Sequence, residues 1–232
     1  MEKTLTVIIP FYNEKNFIEE SVNRVINENI SNEIILVDDC SDDGTDQIAK
    51  RLENNFDNIT YIKTKKNKGK GSALSRAQSM VSSSHVIVHD ADLEYFPSDI
   101  REMFKLADLQ EDKLILGTRT IGSKERTNIY KLTFYGNKLL TALFSMVNNY
   151  KVSDIATCYQ LMYVSFFKNL HIKEKGFGIE VEILSKFIKS KGEIIEYPIN
   201  YEARSYEDGK KIKLKDGIEI FLKIFKYRIF TK

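Results

Sequence analysis

The sequence lacks most of the features that would declare a function at once. Only two of its 232 residues are cysteines, Cys40 and Cys158, and they lie far apart. Two distant thiols make neither a zinc knuckle nor a disulfide framework, and they fit a reducing compartment. Charge of one sign is also missing. Lys and Arg number 35 against 33 Asp and Glu, a net of +2, which is not the footprint of a nucleic-acid-binding domain. No apolar run suits a membrane span: the longest, Leu139 to Val147, is about half the ~20 residues a bilayer requires. There is no P-loop, no dinucleotide-binding fingerprint, no repeat and no low-complexity linker. Met1-Glu2-Lys3-Thr4 runs straight into a strand pattern, so the expectation is a chain without a secretory signal, working in the cytoplasm.

What is present is a globular composition, 42% hydrophobic and 29% charged, enough for one large core. The first 120 residues alternate short apolar runs with amphipathic stretches. Strands are predicted at 5–9, 33–37, 59–62, 85–89 and 114–116. Helical spacing runs through Phe17 to Ile30, Ile48 to Phe56, Ala73 to Val81 and Ser98 to Leu109. Such alternation implies a mostly parallel sheet with helices on both faces. After Gly117 the pattern predicts a long helix from Tyr130 to Val147, strand-like residues over 152–164, a helix from Glu180 to Lys189, and a strand at 194–197. A last helix is predicted from Leu214 to Lys232.

Three of the predicted strands end in polar, largely acidic residues. Strand one runs into Pro10-Phe11-Tyr12-Asn13-Glu14, strand two into Asp38-Asp39, and strand four into Asp90-Ala91-Asp92-Leu93-Glu94. In parallel α/β sheets ligands bind at the carboxyl ends of strands. Carboxylates gathered there repel one another unless a cation or a hydroxyl-rich ligand lies between them. Mg²⁺ suits such oxygen ligands and completes its shell with substrate phosphates. One Asp-x-Asp alone reads more readily as a turn or helix cap.

These residues resemble the family 2 glycosyltransferases with the GT-A fold, an α/β, Rossmann-like, mostly parallel sheet flanked by helices. The likeness rests on Val7-Ile8-Ile9-Pro10-Phe11-Tyr12-Asn13-Glu14, Val37-Asp38-Asp39, Asp43-Gly44-Thr45, Asn67-Lys68-Gly69-Lys70-Gly71 and Asp90-Ala91-Asp92. Asp154 to Tyr159, Gly176 to Glu182 and Tyr201 to Ile212 are similar to the dolichyl- or polyprenyl-phosphate mannose synthase-like branch. The resemblance implies one GT-A domain over 1–232, with a nucleotide-sugar-binding half (1–120) and an acceptor-binding half (121–232) that ends in a C-terminal amphipathic helical elaboration.

The resemblance also implies roles. Pro10, Tyr12, Glu14, Asp38, Asp39 and Asp90 would bind the nucleotide diphosphate sugar, with Lys68 and Gly69 in a loop that approaches it. Asp90, Asp92 and Glu94 would hold Mg²⁺ or Mn²⁺, which neutralises the leaving diphosphate while an acceptor oxygen attacks the sugar C1 and inverts it. Arg119 matches the family's phosphate-binding arginine, with Arg126, Lys131 and Arg204 as further acceptor-binding candidates. A lipid phosphate is already ionised and needs no base. A hydroxyl acceptor needs one, and Asp154, then Glu180, would serve. GDP-mannose or UDP-glucose is the expected donor and polyprenyl phosphate the expected acceptor, with a diacylglycerol-type lipid as the alternative.

Other readings stay open. His85 and His89 have the spacing of a zinc pair on one strand face, although neither cysteine is adjacent. Gly209-Lys210-Lys211 reads as a loop closing over the diphosphate or as a plain exposed turn. The tail helix, apolar on one face and lysine-rich on the other, reads as a membrane-surface anchor or as a core-facing helix, as does Tyr130 to Val147. A sugar nucleotidyltransferase would want a Gly-rich loop after strand one. A membrane-surface binding module would not need the acidic strand ends.

Overall fold

The computed structural model describes residues 2–122, 124–127, 130–176, 178–204 and 214–230. Gly209-Lys210-Lys211 and the rest of 205–213 lie outside the described residues, as does Lys232.

The first half alternates as the periodicity predicts: β1 (Leu5–Phe11), α1 (Ile18–Asn27), β2 (Glu33–Asp38), α2 (Thr45–Asn55), β3 (Ile59–Lys63), α3 (Lys70–Ala77), β4 (His85–Val88), α4 (Pro97–Leu106) and β5 (Lys113–Thr118). The second half adds β6 (Arg126–Thr127), α5 (Lys131–Asn148), β7 (Gln160–Tyr163), α6 (Val164–Asn169), α7 (Ile179–Lys189), β8 (Glu193–Pro198), β9 (Tyr201–Glu202) and α8 (Leu214–Phe230).

Seven strands form one sheet in the order β3-β2-β1-β4-β7-β5-β8, and β6 and β9 make a separate small ladder. All pairs in the large sheet are parallel except those of β7, which runs antiparallel to β4 and β5. The fold is therefore the mostly parallel, helix-flanked GT-A sheet. Residues alternate in β1: Val7 and Ile9 pack into the core on one face with Ile18, Val22 and Val25 of α1. Ile8 packs into the core on the other, with Ala73 and Leu74 of α3. Both faces are covered, which is why these strands read as continuous apolar runs.

Two expectations are corrected. Only Gln160–Tyr163 of the strand-like stretch 152–164 is a strand, and Val164–Asn169 is helical. Over 153–156 carboxylates capture the backbone instead: Asp154 accepts the N–H of Ala156 locally, and Glu196 of β8 accepts that of Ser153. The helix starting near Ser98 stops at Leu106, because Ala107 is extended with ψ 140°.

α5 and α8 pack against each other, and α8 also packs on α7. α8 buries Ile224 and Tyr227, so part of it faces the core. Neither helix is fully covered. Leu132, Tyr135, Leu139 and Met146 of α5, and Ile218, Phe221, Leu222 and Ile229 of α8, remain exposed.

Candidate active site

The parallel strands β1, β2 and β4 bring their carboxyl ends to one edge of the sheet. The backbone continues the pairing past the strands, with Asp39 N–H donating to Phe11 O (2.8 Å) and His89 N–H to Ile8 O (2.9 Å). The turns beyond are tight: Asn13, Cys40 and Leu93 all have positive φ (53°, 72° and 64°). These turns swing their flanking side chains into a cleft of about 340 Å³. Pro10, Tyr12, Glu14, Asp39, Gly69, Asp90, Asp92, Glu94, Arg119 and Arg204 all line it.

The two aspartates of β2 divide. Asp39 faces the cleft and is held by the N–H groups of Lys68 (3.0 Å) and Gly69 (2.5 Å). Asp38 is fully buried, accepting the Ser41 N–H (2.6 Å) and the Tyr61 hydroxyl (2.9 Å). It is a brace between β2 and β3 and lines no part of the cleft, contrary to the expected donor contact. Burial, then the hydrogen bond and the negative charge of Asp38, push the half-buried Tyr61 hydroxyl well up.

The loop Asn67 to Gly71 is not free to drape over a donor. A Cβ on Gly69 (φ 92°) would meet Lys175 O at 2.4 Å, and one on Gly71 would meet Glu174 O at 2.0 Å. The Gly71 N–H donates to Lys175 O at 2.8 Å, so the glycines let two backbones touch. Lys68 contributes its backbone to Asp39 and its side chain stays outside the cleft. Lys70 instead enters it. Its Nζ lies 2.7 Å and 2.9 Å from the two Asp90 oxygens and 2.7 Å from Glu180 Oε1. Burial alone would lower the Lys70 ammonium, but Asp90 and Glu180 outweigh it and hold the group well above its usual range.

The acidic strand end of β4 is short of positive charge. Burial, then the charges of Glu94 and Asp90, push the Asp92 carboxyl up to about 8. Both Glu94 carboxylate oxygens are engaged, one accepting the Arg204 N–H and the other the Tyr201 hydroxyl, each at 2.7 Å. Among the described residues no three acidic, His or Cys side chains converge at metal-ligand spacing. The expected triad of Asp90, Asp92 and Glu94 is therefore not preassembled. Asp90 and Asp92 nonetheless fit a hard divalent cation: both supply oxygen, both line the cleft, and added positive charge would relieve the repulsion at Asp92.

Arg119 follows β5 and sits at a seam. It lines the main cleft and also a smaller cavity of about 60 Å³ shared with Arg126, Tyr130, Phe134, Asn137 and Tyr201. Asp154 holds the guanidinium through Nε–Oδ2 at 2.8 Å and Nη2–Oδ1 at 2.9 Å. The cation stacks over Tyr201, 4.9 Å from its ring centre. Asp154 also accepts from Asn137 Nδ2 and from two backbone N–H groups. Burial would raise its carboxyl, but Arg119 wins and holds it below the usual carboxylate range. A saturated, acidified carboxylate is a poor base, so the expectation of Asp154 as base does not suit its surroundings. Glu180, the second candidate, is tied to Lys70.

Arg126 sits in the smaller cavity with its Nε buried and without a hydrogen-bond partner. Lys131 is exposed at the start of α5 and lines neither cavity. Arg204 lines the main cleft and not the smaller cavity that holds Arg126. Its Nη2 is 2.9 Å from Glu14 Oε2, and its guanidinium covers the Phe17 ring at 4.3 Å. The zinc reading fails. His89 Nε2 lies 3.1 Å from Ser21 Oγ and its Nδ1 2.9 Å from Tyr159 Oη, while both His85 nitrogens are engaged by Ser84 and Asp108. Burial pushes His89 down to about 4, so it is neutral in ordinary buffers.

Sequence reasoning missed Tyr95 and Tyr201, the two rings around Arg119, and assigned no role to Lys70. Lys70 carried a cue in its place between two glycines and Tyr201 in opening a stretch that bears the family likeness, whereas Tyr95 carried none.

Residues 6–170 match the model of the family described as Glycosyl transferase family 2. The chain is 28% identical to the UDP-N-acetylglucosamine–dolichyl-phosphate N-acetylglucosaminyltransferase of Methanococcus voltae, over 96% of this chain and 95% of that one. It is 27% identical to the dolichol-phosphate mannosyltransferase of Pyrococcus furiosus, over 89% of this chain and 58% of that one. Among solved structures, glucosyl-3-phosphoglycerate synthase from Mycobacterium tuberculosis, in complex with Mn²⁺, UDP and glucosyl-3-phosphoglycerate, superposes with a TM-score of 0.73. It is 16% identical and the match covers 97% of this chain and 80% of that one, a likeness of fold.

Proposed function

This chain belongs to glycosyl transferase family 2, and from that premise we propose that it moves a sugar from a nucleotide diphosphate donor to a polyprenyl phosphate at a membrane surface. The donor would lie in the acidic cleft against Pro10, Tyr12, Glu14 and Asp39. A Mg²⁺ or Mn²⁺ ion held by Asp90 and Asp92 would supply neutralisation of the diphosphate as it leaves C1. The M. voltae and P. furiosus relatives are named for dolichyl-phosphate acceptors, and the Mycobacterium structure is a complex with Mn²⁺ and UDP. The first two names agree with the acceptor proposed here, and the third protein, named for glucosyl-3-phosphoglycerate, agrees only in its use of a uridine nucleotide with a divalent metal.

The observation that carries it is the position of Arg119, at the seam between the cleft and the smaller cavity. A phosphate beside Arg119 and Arg126 would meet a cation fixed in direction by Asp154 and the Tyr201 face. Its oxygen is already ionised at neutral pH and attacks C1 without a base, inverting the centre. A diacylglycerol hydroxyl would need a proton acceptor, and both expected bases are held in ion pairs. The smaller cavity is walled by Tyr130, Thr133, Phe134 and Asn137, beside the exposed Leu132 and Tyr135 of α5. We place the lipid chain there and the membrane surface against the exposed faces of α5 and α8. No helix among the described residues is long and apolar enough to cross a membrane.

The test is transfer of radiolabel from GDP-mannose, UDP-glucose and UDP-N-acetylglucosamine into polyprenyl phosphate and, separately, diacylglycerol. An acid-labile product on polyprenyl phosphate supports the reading. Transfer to diacylglycerol alone overturns the acceptor, and no transfer from any donor overturns the whole.

A further inference from the structure

Lys70 occupies the place where positive charge would be wanted from a metal. It is the first residue of α3, and its backbone is pinned because Gly69 and Gly71 abut the 174–175 backbone. The ammonium therefore cannot leave with a moving loop and is limited to rotation about its own side-chain bonds. It is only 12% exposed and bridges both oxygens of Asp90 to Glu180 on α7. Glu180 is set on the far side, its backbone carbonyl accepting from Gln160 Nε2 at 3.2 Å. The bridge joins side chains 110 positions apart, both of which line the cleft.

We propose that Lys70 is an internal counter-cation that neutralises Asp90 in the metal-free protein and opposes a divalent ion there until a donor diphosphate is present. This rests on the reading that Asp90 and Asp92 hold the metal. An ion on Asp90 would lie a few ångströms from the ammonium, in a partly buried site where like charges repel strongly. Glu180 offers Lys70 a second seat, so the side chain can yield Asp90 without losing every partner. A diphosphate entering between ammonium and metal carries the negative charge that both cations lack. Metal and nucleotide then bind with positive coupling, and Lys70 is a positioning residue that sets its size.

The experiment is Mn²⁺ titration of the full chain, followed by electron paramagnetic resonance, alone and with UDP or GDP. The unaltered protein is expected to bind Mn²⁺ weakly alone and more tightly with a nucleotide. Lys70→Met should tighten nucleotide-free Mn²⁺ binding by about tenfold or more, the order expected when a unit charge beside a divalent ion is removed. Lys70→Gln, which retains hydrogen bonding, carries the same expectation should Lys70→Met fail to fold. Lys70→Arg keeps the charge and should stay weak. Unchanged or weaker nucleotide-free binding in both neutral variants overturns the inference, as does an equal gain in Lys70→Arg. If the unaltered protein takes up no Mn²⁺ even with either nucleotide, the metal-site reading falls, and this inference with it.

Discussion

Arg119 and Asp154 form a two-pronged ion pair between strand end and loop, with contacts of 2.8 Å and 2.9 Å and the carboxylate fully buried. Asp154 has no exposed surface and the Arg119 side chain is 16% exposed, so the pair is screened by little water. Breaking one partner leaves an uncompensated charge, while the intact pair aims the guanidinium at both cavities.

Asp154→Asn should therefore cost stability, about 3 kcal/mol as for other broken buried pairs, read by urea denaturation. Activity should fall through the acceptor KM as Arg119 loses its anchor. A variant of unchanged stability whose kcat alone collapses would restore Asp154 as a base.

Arg119→Ala should raise the polyprenyl phosphate KM by tenfold or more, since a charge-assisted contact contributes roughly 1.5–3 kcal/mol. The donor KM should change far less. Steady-state kinetics with each substrate varied in turn separates the two, and an equal effect on both would place Arg119 in donor binding.

Asp92→Asn should abolish turnover with the fold intact, because it removes a proposed metal-binding carboxylate while replacing a carboxyl that burial and its acidic neighbours already push up to about 8. Circular dichroism and thermal unfolding should match or exceed those of the unaltered chain. Chelation with EDTA should likewise stop transfer, and Mn²⁺ should restore it. Full activity in EDTA would remove the metal from the reaction.

Glu174 makes docking of α8 pH-dependent. Its buried carboxylate receives Lys223 (2.8 Å), Lys226 (2.8 Å) and the Tyr227 hydroxyl (2.6 Å), and these bonds outweigh burial to hold it at about 2. A depressed folded value gives stability that is complete above the unfolded value near 4.5 and lost as pH falls towards 2. With one lysine half exposed, the contribution is about 2 kcal/mol. Glu174→Gln should be less stable at pH 7, with the gap closing between pH 4.5 and 2. A gap constant with pH would assign the loss to packing.

Leu139→Glu with Leu222→Glu should weaken sedimentation with anionic vesicles several-fold while leaving thermal stability unchanged, since both side chains are over 60% exposed. Unaltered vesicle binding would return α5 and α8 to an ordinary solvent-facing role.

Much of the fold was legible because its cues are local. The run Leu5 to Ile9 announces a strand buried on both faces, although Pro10 does not end it and β1 runs on to Phe11, and Ile18, Val22 and Val25 announce the face of a helix. The stretch 152–164 misled for a reason that is only half local: its apolar residues promise a strand, but Asp154 takes the Ala156 N–H nearby and Glu196, 43 positions away, takes that of Ser153. Neither pattern distinguishes Asp38 from Asp39, adjacent residues of one type. Only Tyr61, on the neighbouring strand, shows that the first points inward as a brace.

The amino-acid order alone settled the strand–helix alternation, and with it the row of carboxylates at one sheet edge, since periodicity and turn chemistry act over a few residues. Tertiary structure decided which of those groups are available and which are spoken for. Glu14 meets Arg204 from 190 positions away, Asp90 shares Lys70 with Glu180, and Arg119 finds Asp154 across a strand. Charge pairs of that reach are set by how elements pack. The chemistry of each acid is a property of the assembled sheet edge and not of its own segment.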